Sequence, residues 1–300
     1  VGLGQYGAEM LKTLTWACQM YGYRLKINGF DYSDETISRF KATCPGVFDP
    51  AINGQSIAGD AQYDIRLFGG IDAQGEAYET TVCDHAKDAT FVFISLGTDE
   101  ANVAAAYRTR EIFERIHASG DGNRASGKPY IQTVIYDPAT NQRIGQAKNR
   151  KNLAYDIHCI GSLDSFYSFS TFFDTELEKE ALQIHRAYGD TDENFYYDDY
   201  NYNSSFSAAM HRLLRRKCGM PATDKEALSR MTPEEQATEK RALALLEHRR
   251  WSAYVRCDGY QTGGSHETRK FDTLARLHYC LIPFDDLSPE EQEKDYNVIA

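Results

Sequence analysis

An α/β fold is predicted: a parallel sheet with helices on both faces, then a small, mostly helical, loop-rich part. Three observations predict it. Short apolar runs alternate with helical patterns over residues 1 to about 163, the signature of a sheet buried on both faces. A glycine run opens the first helix, and a strand ending in an acid follows it. Beyond residue 164 the strand signals stop, and long helical patterns separated by glycine- and proline-marked loops take over.

The elements follow in order. Gly7 to Met20 carries a helical pattern ended by Gly22, and Tyr23–Phe30 reads as a strand closed by Asp31. Ile65–Phe68 is a short apolar run before Gly69-Gly70. Thr90–Leu96 is a buried-strand run, and Gly97-Thr98-Asp99 then opens a helix over Glu100–His117. Gly120–Lys128 reads as a surface loop. Tyr130–Tyr136 is a strand closed by Asp137-Pro138, and Ile157–Ile160 is a weaker one. Residues 164–188 read as one helical stretch. Asp190–Tyr202, acidic and rich in tyrosine, reads as a loop that packs. Ser204 or Ser205 reads as the cap of a helix over Phe206–Lys217, and Cys218–Met231 as a linker. Thr232-Pro233-Glu234-Glu235 starts a long helix towards Cys257, and Ser288-Pro289-Glu290-Glu291 starts the last one.

The 300 residues are 42% hydrophobic, 26% charged and 12% aromatic, which argues for folded domains and against disorder. A net charge of −11 argues against a general grip on DNA or RNA. Seven cysteines without a C-x-x-C argue against a disulfide framework or zinc knuckle and favour a reducing cytosol. No run approaches the ~20 apolar residues of a membrane helix. The chain opens at Val1-Gly2 with no strand before the glycines, so a longer natural polypeptide is expected, with a membrane segment among the candidates for its N-terminal part.

Gly2-x-Gly4-x-x-Gly7 has the spacing of a dinucleotide-binding turn. The first glycine permits the tight turn, the second lets backbone approach a pyrophosphate, and the third packs the helix on the sheet. The helix start offers unpaired N–H groups to an anion. Asp31, at the end of the next strand, stands where an acid accepts from a ribose. Gly97 and Thr98 are expected on the same rim. Together these are the Rossmann-like nucleotide site that the sequence predicts, with NAD or another adenine nucleotide as its candidate cofactor. The same glycines also serve a nucleotide-free turn, and Asp31 an ordinary strand end.

Residues 1–163 resemble the TrkA-N family, the nicotinamide-nucleotide-binding domain of bacterial ion-channel regulators, through VGLGQYG (1–7), Asp31 and FVFISLGTDEAN (91–102). The C-terminal part is similar to the RyR domain, the repeat named after the ryanodine receptor. The similarity is carried by Glu247-His248-Arg249-Arg250-Trp251, Gly259-Tyr260, His278 to Phe284, and Asp286 to Glu291 closing with Lys294-Asp295. Thr262 replaces an expected aromatic, Tyr279 an expected proline, and the loop 265–277 is unusual. The resemblance implies three parts: a nucleotide-binding domain over 1–163, connecting helices with the Tyr-rich loop over 164–218, and an RyR-like ligand-sensing domain over 219–300.

On the long helix, Glu247, Arg250, Trp251 and Tyr254 lie three or four apart and share a face. With Tyr260, His278 and Phe284 they can line an aromatic pocket in which an Arg fork holds an anion. The structural alternatives are Trp251 as core, Glu247 with Arg250 as a structural pair, and His248 turned away from Trp251, either towards solvent or into a cap contact. No hydrolase, Walker, zinc or EF-hand motif occurs, so neither a catalytic nor a metal-binding residue is assigned. The expectation is a non-enzymatic, homo-oligomeric sensor. It binds a small nucleotide, an adenine-type second messenger or a nicotinamide dinucleotide, and signals to an N-terminal effector, a membrane pore among the candidates. The resemblance places such proteins near bacterial antiviral nucleotide signalling. An NAD-dependent oxidoreductase and a protein-interaction module or channel regulator are the alternatives.

Overall fold

A computed structural model describes residues 1–54, 62–120, 127–148, 155–162, 176–220, 231–264 and 271–299. The fold is mixed α/β, with small parallel sheets and many helices. It divides into two compact units. The first comprises Val1–Leu11, Asn28–Phe40 and Arg66–Asp174, the second Lys12–Ile27, Lys41–Ile65 and Thr175–Ala300. The second unit therefore takes in two segments that the sequence reading gives to the N-terminal domain. The expected boundary at 163, most of the loop 120–128, the start of the helical stretch 164–188 and most of the linker 218–231 lie outside the described residues. So does half of the loop 265–277.

In the first half the elements are α1 (Gln5–Ala17), β1 (Leu25–Phe30), α2 (Asp34–Thr43), β2 (Tyr63–Phe68), α3 (Glu76–His85), β3 (Phe91–Ile94), α4 (Asp99–Ser119), β4 (Tyr130–Val134), α5 (Pro138–Lys148) and β5 (Ile157–Ile160). Every strand expected from the apolar runs is present. β3, β4 and β5 form a parallel sheet with Phe91 opposite Tyr130 and Ile131 opposite Ile157. β1 pairs with β2. Between these sheets, Gly2 N–H donates to Phe30 O, while Val1 exchanges bonds with Phe93 O and Ser95 N–H. Ile94, Ala105, Ala106, Ile131 and Ile157 share one apolar cluster, and Phe30, Tyr78, Val82, Ile112 and Phe113 another.

The sequence reading missed α2, α3 and α5. α2 buries only Ile37 and Phe40, too narrow a stripe to reveal a period. At α5, Asp137-Pro138 was read as a strand stop but also starts a helix. Proline suits the first helical turn, and Asp137 Oδ2 accepts from Thr140 N–H at 2.8 Å.

The second unit contains α6 (Glu176–Ala187), α7 (Asp192–Tyr197), α8 (Asp199–Lys217), α9 (Pro233–Cys257), α10 (Pro289–Ile299) and a small sheet. That sheet is made of β6 (Gln261–Thr262), β7 (Phe271–Asp272) and β8 (Leu277–His278). The capping box at α9 is as expected: Thr232 Oγ1 accepts from Glu235 N–H at 3.3 Å, and Glu235 Oε2 accepts from Thr232 N–H at 2.8 Å. α10 begins at Pro289, with Ser288 Oγ accepting from Glu291 N–H.

Two expectations fail here. The Tyr-rich segment is not a loop: Thr191 caps α7, and Asp198 caps α8 by accepting from Tyr200 and Asn201 N–H. Ser204 and Ser205 consequently sit inside α8 rather than at its start. Aspartates and threonines spread through an acidic run look like solvating polarity, yet Thr191 and Asp198 here each open a helix. Among the described residues no helix is long and apolar enough to cross a membrane.

Candidate functional site

In the first unit Gly2, Gly7 and Asp31 gather at the opening turn beside Ser95 and Leu96, and the fold already employs most of these residues. Gly2 has φ +81°, and a Cβ there would lie 2.1 Å from Ser95 O. A Cβ on Gly7 would lie 1.7 Å from Gly2 O. Both glycines are required for packing with no ligand present. Gly4 differs: it is exposed with open space around it, at the start of α1, where glycine suits the helix N-terminus and also leaves room for a close-approaching ligand. Asp31 accepts from Leu3 N–H at 2.7 Å through Oδ2 and from Ser33 N–H at 2.8 Å through Oδ1, so the acid assigned to a ribose first orders the glycine turn. Gly97 has φ +94°, and Thr98 caps α4 by accepting from Ala101 N–H. The first turn of α1 carries no acid, which suits an anion.

The second unit carries a half-open cavity of about 420 Å³. Its walls are stripes at helical spacing, so single helix faces supply them. α8 contributes Asn201, Ser204 and Ser205; α9 contributes His248 and Trp251; α10 contributes Glu291, Lys294 and Asp295. The end of α6 adds His185, Tyr188, Gly189 and Asp190, with Tyr200, His278, Cys280 and Leu287 completing the lining. Trp251 is half-buried. Its indole N–H donates to the Tyr200 hydroxyl, and its ring meets His278 edge-on at 4.9 Å.

Of the six pocket residues expected here, only Trp251 and His278 line this cavity. Arg250 is fully buried. Its Nη2 lies 2.6 Å from Glu247 Oε1, its Nε 3.1 Å from both Glu247 oxygens, and its Nη1 2.7 Å from Ser207 Oγ. The guanidinium fork thus serves the structural pair and not a ligand. Burial pushes the Glu247 carboxyl up, but the adjacent guanidinium outweighs it and holds the group below its ordinary range. Tyr254 meets Trp16 edge-on at 6.0 Å. Tyr260 is buried with the Arg276 guanidinium over its ring, and Phe284 is buried in an apolar cluster with Leu243 and Leu287.

His248 is not turned to solvent. It is buried, stacks 5.8 Å from Trp251, and lies between Ile282 O (2.8 Å from Nε2) and Asp295 Oδ2 (3.2 Å from Nδ1). Positions three apart on a helix are neighbours, so 248 and 251 belong to one face. A carbonyl only accepts, so Nε2 carries a hydrogen, and the contact with Asp295 needs one further proton between the two groups. Burial pushes the Asp295 carboxyl up, opposed by its hydrogen bond to His248. Burial likewise raises the Tyr188 and Tyr200 phenols.

The sequence reading therefore missed the polar walls from α8 and α10. The available signal was the i, i+3, i+4 spacing of Asn201/Ser204/Ser205 and Glu291/Lys294/Asp295, legible once both segments are taken as helices. Comparison with protein-family models, characterised proteins and solved structures finds no match to this chain. The likeness to TrkA-N and RyR domains therefore rests on the motifs alone.

Proposed function

We propose that the chain is a ligand-sensing module whose C-terminal cavity receives part of a small nucleotide. The observation that carries this reading is the cavity itself. About 420 Å³ lies within the size range of small-molecule sites, and Trp251, Tyr188 and Tyr200 offer flat amphipathic surfaces beside a few polar groups. The residues that resemble the RyR pattern supply Trp251, His248, His278, Glu291, Lys294 and Asp295 to its walls. Signalling to an effector outside these 300 residues belongs to the same proposal and rests on the resemblance.

A second reading, a dinucleotide on the glycine rim of a Rossmann-like sheet, is favoured by two observations. The bonds of Val1 and Gly2 to Phe93, Ser95 and Phe30 support a strand order running through both small sheets. Gly4 is open where a pyrophosphate would approach.

Calorimetry and thermal unfolding with nicotinamide dinucleotides and a panel of adenine second messengers test both readings. A ligand at a hundred times its Kd stabilises the fold by about 2.7 kcal/mol. Trp251→Ala removes binding at the cavity, and Gly4→Val removes binding at the rim. The absence of any binding across the panel refutes both.

A further inference from the structure

Resting on the reading of the cavity as a ligand site, we infer that its enclosed part takes an amino-bearing heteroaromatic ring, neutral or protonated, and rejects phosphate. A nucleotide would insert its base and leave its phosphates outside.

The charges of the lining carry the inference. Three carboxylates, Asp190, Glu291 and Asp295, face one ammonium, Lys294. That ammonium is committed: Lys294 Nζ lies 2.8 and 2.9 Å from the two Glu291 oxygens. Asp295 and His248 share a proton and together are neutral. His278 Nδ1 accepts from Cys280 N–H at 3.2 Å, so that ring is neutral as well. Asp190 is held below the ordinary carboxylate range by the Asn194 amide and the Thr191 N–H. His185 Nε2 lies 3.0 Å from Thr191 O and 3.8 Å from Asp190 Oδ2. The Arg250 fork, the obvious anion clamp in the sequence, is spent on Glu247 and Ser207. A phosphate entering here meets the uncompensated Asp190 carboxylate and must break the Glu291–Lys294 pair to gain a cation.

The remaining surface suits a ring with donors. Trp251, Tyr188 and Tyr200 provide flat faces for it. The hydroxyls of Ser204 and Ser205 have no protein hydrogen-bond partner among the described residues, and both residues are over nine-tenths buried. They are available to ring nitrogens and carbonyls, while the carboxylates accept from an exocyclic amine.

The test is calorimetry of the full chain with adenosine and cytidine, then with their monophosphates and triphosphates, at low and high salt. The expected result is that a nucleoside binds and that its first phosphate weakens binding about tenfold, the usual direction of a like-charge juxtaposition. Salt narrows that gap by screening. Glu291→Gln, which releases Lys294, narrows it too, and the wild-type series decides the matter if that variant does not fold. A phosphorylated form binding tighter than its nucleoside, with affinity falling as salt rises, overturns the inference and leaves the sensing reading standing. Binding by none of the series overturns the inference; combined with failure of the wider nucleotide panel, it removes the sensing reading as well.

Discussion

His211 allows a prediction independent of any ligand. It sits on α8, almost fully buried, with Nε2 2.6 Å from Gln19 O. That carbonyl accepts, so the ring donates through Nε2. Burial pushes its pKa down to about 4 from an ordinary 6.5. Arg250 and Arg215 act in the same direction, and Glu247 and the Gln19 bond act against it. A histidine depressed on folding is held neutral in the native state while the unfolded chain takes up a proton. The unfolded state then binds more protons between those two values, and stability falls as pH falls through that window. At about pH 4.5 the histidine linkage costs about 2 kcal/mol relative to pH 7, where it is nearly silent. Urea unfolding of wild type and His211→Gln at both pH values isolates it, because the depressed carboxylates elsewhere titrate equally in the two proteins. The variant is expected to lose about 2 kcal/mol less than wild type on acidification. Equal acid losses in the two proteins would refute the claim that this ring is buried neutral.

Other consequences follow from the same geometry. Glu247→Ala leaves the fully buried Arg250 without its carboxylate and is expected to cost about 3–5 kcal/mol in urea unfolding. The double change Glu247→Leu with Arg250→Met should recover much of that loss, and failure to do so would mean the pair contributes more than charge compensation. Gly7→Ala drives a Cβ into the Gly2 carbonyl and should cost about 2–4 kcal/mol or prevent folding, while Gly4→Ala, facing open space, should leave thermal stability nearly unchanged. Asn102 bridges Leu96 N–H at 2.5 Å and Val134 O at 2.9 Å from a fully buried position. Asn102→Ala should therefore cost about 2–3 kcal/mol, read by chemical denaturation.

The strands were legible because TFVFISL and YIQTVIY are short, largely apolar runs bounded by turn residues, although the one sheet expected from them is present as separate small sheets. The long helices announced themselves through their caps: Thr98, Thr232 and Ser288 all stand where the spacing puts them. The short helices did not. α2 and α7 bury one or two side chains each, and such a stripe falls below what periodicity can resolve. Misreading Asp190–Tyr202 as loop had a larger consequence. It moved the start of α8 forward by seven residues and turned two cavity hydroxyls into imagined caps.

The site shows why residue type alone assigns roles poorly. Arg250 and His248 stand two apart on α9, so they point roughly 200° apart around the helix. Trp251 lies 300° on from His248, which is 60° back the other way, and so shares its side. The motif Glu247-His248-Arg249-Arg250-Trp251 thus divides between two tasks. Glu247 and Arg250 close on each other in the interior and give up their charges to mutual pairing, whereas His248 and Trp251 stack on each other and line the cavity. A fully buried guanidinium is tolerated only with its carboxylate beside it, and that requirement removes both groups from ligand chemistry. What remains for a ligand is a tryptophan, two phenols, uncommitted hydroxyls and a surplus of acid. The selectivity proposed for the cavity then follows from what the interior has already consumed: the Arg250 guanidinium is spent on Glu247 and Ser207.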